Sequence, residues 1–166
     1  KKNKKRGYGY WYWKPYLIKE MMNNLNDNDI IHYVDVGCHI IKNKNHKFNQ
    51  YLNFLIDQDN WILPFQYYFY ESKKNNGITF PERQEYKFTK ADLINFFNFI
   101  GSTEITDTPQ FWAGNLFVKK NKASKEFLSE WIDIMHKNTN LIDDSISKIN
   151  NHEDFIENRH DQSVFS

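Results

Sequence analysis

The chain has 166 residues, with 22 Lys and Arg against 21 Asp and Glu, so its formal net charge is only +1. That balance leaves no bulk field for nucleic acid or an anionic membrane. The length suits one domain around a single core, and an aromatic content of 17% is too high for a disordered chain. No apolar run approaches the ~20 residues of a bilayer span. No signal peptide opens the sequence, so the expected location is cytoplasmic. The lone Cys38 excludes an internal disulfide framework and any all-cysteine zinc site.

Residues Lys1 to Arg6 read as a basic tail. Two glycines and a dense aromatic cluster, Tyr8 to Trp13, follow; such rings either pack in a core or stack on sugars and bases. Pro15 suits the first turn of a helix, and Leu17, Ile18, Met21, Met22 and Leu25 recur behind it at helical spacing. Asn26 to Asp29 is turn chemistry. Ile30 to Asp35 predicts a short buried strand. Phe48, Tyr51, Leu52, Leu55 and Ile56 make an apolar stripe that predicts a helix over 46–58.

Trp61 to Tyr70 predicts a strand that Pro64 interrupts, with a turn at Lys74 to Gly77. Thr89 and Asp92 resemble a capping box before a helix that carries Leu93 to Ile100 and ends at Gly101. Phe111 to Val118 predicts another strand, and Phe127, Leu128, Trp131, Ile134 and Met135 another helix. Asp161 to Ser166 reads as a first helical turn. Helices alternating with short apolar strands argue for an α/β fold.

Four places could carry chemistry. Asp35 stands at the carboxyl end of a predicted strand, where open α/β sheets bind ligands. A metal, a ribose or a sugar hydroxyl could meet it there, or it could cap a turn at Gly37. Ala113 and Gly114 lie inside a strand after two bulky aromatics, which marks either close approach of a ligand or a tightly packed bulge. In Arg159 to Gln162, Asp161 reads as a helix N-cap or an acid, and His160 as a surface histidine or a ligand. Lys14, beside a helix start, is either a solvated lysine or part of a phosphate site.

Taken in order, the runs Arg6 to Ile18, Tyr33 to Cys38, Gln110 to Phe117 and Phe155 to Ser166 resemble a family of microbial and viral glycosyltransferase-like proteins with the GT-A nucleotide-sugar transferase fold. More distantly they are similar to glycogenin-like and capsular-polysaccharide transferases. The resemblance implies an α/β domain with a GT-A-like mixed sheet flanked by helices. It spans the single domain 1–166, incomplete at both ends, because the base-binding unit of that fold comes before the Gly-Tyr-Gly-Tyr-Trp segment. It also implies transfer of a sugar from a nucleotide diphosphate donor to a glycan or other hydroxyl, as in polysaccharide biosynthesis. A degenerate domain that binds nucleotide sugar or carbohydrate without transfer is the alternative.

Residue by residue, Asp35 matches the first Asp of the family's Asp-x-Asp motif, and Gly37 stands where the second, metal-chelating Asp would be. A hard divalent cation needs several oxygen ligands. The resemblance therefore leaves two arrangements. Either Asp35 and His160 hold Mn or Mg with the donor diphosphate, or Lys14 and helix N–H groups replace the metal. Lys14, Ala113, Gly114 and Gln162 match donor-side positions, and Asp161 matches the acid near the reacting sugar, a candidate general base. The expected partners are donor and acceptor, with no nucleic acid and no integral membrane segment.

Overall fold

The computed structural model describes residues 6–58, 60–67 and 82–166. The predicted turn at 74–77 and the end of the strand predicted over 61–70 lie outside them. The fold is mixed α/β. Its first element, α1 (Gly7–Tyr10), is a single turn of the opposite hand, with positive φ at Gly7, Tyr8, Gly9 and Tyr10 and again at Trp11. For residues other than glycine this costs roughly 1–2 kcal/mol each. The Trp11 ring closes over Gly7, where a Cβ would come within 2.3 Å of it, and the Trp13 indole N–H donates to the Gly7 carbonyl at 3.1 Å. Gly7 is therefore required both by its φ and by the ring above it.

Helix α2 (Trp13–Asn23) follows, with Pro15 in its first turn as predicted. Strand β1 (Ile30–Val34) comes after the Asn26–Asp29 turn, and α3 (Asn45–Asp57) carries the predicted stripe. Strand β2 (Ile62–Gln66) accommodates Pro64 because it is an edge strand among the described residues: their order is β1-β3-β2, with β3 (Phe111–Lys119) in the centre. Both described pairings are antiparallel, so this part of the sheet is not mixed.

Between β2 and β3 the register runs Pro64 opposite Leu116, then Phe65 opposite Trp112, which sets residues 113–115 in a bulge. A bulge re-aims side chains. Ala113, within the bulge, and Leu116 and Val118 beyond it all face the core, although simple alternation would put Ala113 on the opposite face from the other two.

Short turns α4 (Glu85–Phe88), α5 (Ala91–Phe96) and α6 (Thr103–Thr106) connect β2 to β3. The expected capping box is absent here. The Thr89 hydroxyl donates to Glu85 at 2.6 Å, and Asp92 accepts from the backbone N–H groups of Lys148 and Ile149. The helix stops at Phe96, short of Ile100, and the chain takes positive φ at Asn98 and Gly101. The longest helix, α7 (Lys122–Lys137), is closed by a reciprocal box between Asn121 and Ser124 that the sequence analysis missed. Turns α8 (Thr139–Ile142) and α9 (Asp161–Phe165) complete the chain.

One face of the sheet carries the core. Ile31, Leu116 and Val118 pack against Ile18 and Met22 of α2, Leu128, Trp131 and Met135 of α7, and Phe165 of α9. The other face presents a ring cluster to α3: His32 lies flat on Phe117 at 3.9 Å, with Phe48, Tyr51 and Phe65 around them. No helix among the described residues is long and apolar enough to cross a membrane.

Candidate functional site

The second residue of α2, the residue after β1 and the first residue of α9 meet at one point beside the β3 bulge. The Lys14 ammonium, 3% exposed as a residue, stands 2.7 Å from Asp161 Oδ2 and 3.7 Å from Asp35 Oδ1. It also donates to the Ala113 carbonyl at 3.2 Å, a group freed by the bulge. Lys14 is thus neither a solvated lysine nor an open phosphate site. It is the buried cation of a two-carboxylate cluster.

The two carboxylates differ. Asp161 is 4% exposed, and burial pushes its pKa up to about 6 against the opposing pull of Lys14, with Asp35 adding to the rise. It is not the N-cap: it is the first helical residue, and His160 holds the cap position without a side-chain cap bond. Asp35 keeps a side chain 38% exposed, and its Oδ1 accepts from the Tyr33 hydroxyl at 2.8 Å. Burial, then that bond to Asp35, drives the Tyr33 phenol above its ordinary pKa. The Asp35 backbone N–H donates to the Gly114 carbonyl and the Asp35 carbonyl accepts from the Cys38 N–H, so a turn over 35–38 is made by the main chain and not by the Asp35 carboxylate.

Gly114 explains how the carboxylate fits. A Cβ there would lie 2.4 Å from Trp112 Nε1 and 2.5 Å from Asp35 Oδ2. Trp112's indole N–H and Asp35's second oxygen therefore share the space that glycine vacates. Ala113 contributes its carbonyl, while its methyl group is in the core. Gly37 is exposed, and nothing lies within 4 Å of where its Cβ would be.

Two expected residues belong elsewhere. The Gln162 amide donates to Gln110 at 2.7 Å, joining a buried network in which Gln110 donates to Glu85 and Thr89. Burial raises the pKa of the Glu85 carboxyl in that network, against its hydrogen bonds from Ser166, Thr89 and Gln110. His160 is not a surface histidine but 2% exposed, at φ 56°. Its Nδ1 lies 2.6 Å from the Ile142 carbonyl and must donate to it, its ring packs on Tyr10 and Trp11, and its Nε2 stands 3.5 Å from Asp144. Burial lowers its pKa. These contacts turn His160 to Asp144 and Ile142 rather than to Asp35.

Tyr33 and Trp112 were missed, although each lies two residues before a residue that was singled out, and period-two spacing could have found Tyr33. Trp112 needed the bulge. Among the described residues no three His, Cys, Asp or Glu side chains gather as a metal would require. Comparison with protein-family models, with curated proteins and with solved structures found no match for this chain.

Proposed function

We propose that the chain is the catalytic part of a GT-A-type glycosyltransferase, moving a sugar from a nucleotide diphosphate donor to a hydroxyl acceptor. The observation that carries this reading is the meeting of Lys14, Asp35 and Asp161 from three distant segments at one end of the sheet. Three residues that the family resemblance assigns to one site are in contact.

In the reaction a bond forms between the acceptor oxygen and the anomeric carbon, and the bond from that carbon to the diphosphate breaks. The electron pair leaves with the diphosphate, and the hydroxyl proton passes to a carboxylate. Asp35 is the carboxylate turned to solvent: Tyr33 and Lys14 hold Oδ1 and leave Oδ2 for a sugar hydroxyl. Its charge also stabilises an oxocarbenium-like carbon. Asp161, enclosed against Lys14, is a positioning residue rather than the base that contacts the acceptor.

The donor set does not suit a resident divalent cation. Of the two residues expected to hold it, Asp35 has an ammonium 3.7 Å from one of its oxygens, and His160 faces Asp144. Lys14, buried between Asp161, Asp35 and the Ala113 carbonyl, positions the two carboxylates and does not face the leaving diphosphate. One observation favours binding without transfer: position 37 has room for a second carboxylate and carries none.

Thermal shift against UDP-, GDP- and dTDP-sugars, with and without Mn²⁺, and release of free nucleotide in the presence of glycan acceptors test both readings. Transfer predicts stabilisation by at least one donor, and release that Asp35→Asn cuts by roughly 100-fold or more. Stabilisation without release selects the binding reading. No stabilisation by any nucleotide sugar, in a chain shown to be folded, refutes transfer and nucleotide-sugar binding and leaves only carbohydrate binding.

A further inference from the structure

The face of the sheet opposite the core is grooved beside Asp35. The groove has a volume of about 670 Å³, within the usual range for a small-ligand site. Its floor is the His32 ring, which covers the buried Phe117 ring, with the His32 Nε2 2.8 Å from Asn115 Oδ1. One wall is the start of α3 and the loop before it, bearing Lys44, Lys47, His39 and His46. Val34 and Cys38, which flank Asp35 on either side, line its near end together with Trp112. Among the described residues no Asp or Glu lines it.

Three facts bear on what it holds. Trp112 lines the groove, yet its indole N–H converges with Asp35 Oδ2 over Gly114, so groove and carboxylate form one continuous surface. The bulge at 113–115 produces that continuity. Ring faces beside an amide and an imidazole suit pyranose rings, which have apolar faces and hydroxyl edges. Two lysines on one wall, with Asp35 only at the near end and no other carboxylate among the described lining residues, favour an anionic occupant.

From these we infer that the groove is the acceptor subsite and that its occupant is an acidic oligosaccharide, a glycan bearing sugar carboxylates. Its terminal hydroxyl lies toward Asp35 and its acidic units toward Lys44 and Lys47. This assignment rests on the transfer reading for its name, but the binding it predicts does not depend on catalysis.

The test is calorimetric titration of the whole chain with a glucuronate-containing hyaluronan tetrasaccharide, neutral chitotetraose and UDP. The acidic tetrasaccharide binds, and Lys44→Glu with Lys47→Glu weakens it at least ~10-fold. Both lysines are exposed, and an unchanged circular dichroism spectrum shows that the variant is folded. Trp112→Phe removes the fluorescence change on binding. Equal affinity for chitotetraose, or unchanged affinity in the charge-reversed variant, overturns the inference. If UDP displaces the tetrasaccharide, the groove belongs to the nucleotide; the inference falls and the transfer reading stands. If the tetrasaccharide binds in the groove but no nucleotide sugar stabilises the chain, the inference stands as a binding site and the transfer reading falls.

Discussion

Replacing Lys14 by Met keeps the length of the side chain and removes its charge, leaving Asp161 buried without a counterion. In the native protein Asp161 titrates near 6, raised from an ordinary 3.8, because burial outweighs the attraction of Lys14. A carboxyl whose folded pKa lies above its unfolded value adds stability in full below about pH 4 and loses it as pH rises through 6. Two pKa units amount to about 3 kcal/mol. In Lys14→Met both effects that pull the pKa down, the charge of Lys14 and its hydrogen bond, disappear. The folded pKa then moves above 6, and the loss of stability extends into the neutral range.

The expected penalty is therefore about 3–5 kcal/mol at pH 8, the cost of breaking a buried pair. It should shrink to about 1 kcal/mol or less at pH 5, where Asp161 is protonated in both proteins and Asp35 remains partly solvated. Urea denaturation followed by circular dichroism at the two pH values measures both. A penalty of the same size at pH 5 and pH 8, or one below 1 kcal/mol at pH 8, would refute the claim that Lys14 neutralises a buried carboxylate.

Gly114→Ala forces a methyl group into the space shared by Trp112 Nε1 and Asp35 Oδ2. Overpacking of this kind costs about 1–3 kcal/mol, and displacement of the carboxylate should lower donor turnover beyond what the stability loss explains; a fully stable, fully active variant contradicts the geometry. Gly37→Asp meets no neighbour within 4 Å, so it should fold with unchanged stability and gain calorimetrically detectable Mn²⁺ binding. Loss of that gain on further substitution of Asp35 by Asn would show that the two positions act as a pair.

Much of the fold was legible because its signals are local. The stripe from Phe48 to Ile56 placed α3, β-branched runs placed β1, and Pro15 marked the start of α2. The capping of α5 was misread because the Thr89 hydroxyl turns back to Glu85, four residues before it, and the Asp92 carboxylate serves a loop at 148–149, remote in sequence. The family resemblance also placed Gln162 with the donor and offered His160 as a metal ligand beside Asp35. A helical start sends successive side chains in different directions, and these two face Gln110 and Ile142.

What the sequence determined alone was the set of segments and the candidates Lys14, Asp35, Gly114 and Asp161, since residue type and strand ends are local properties. Only the tertiary structure decided their relation. It placed one ammonium between two carboxylates, buried one acid and left the other open, and turned Trp112 beside Asp35. The reason is that charge pairing and burial depend on distances across the chain, and here a bulge of three residues in the central strand brings those groups together.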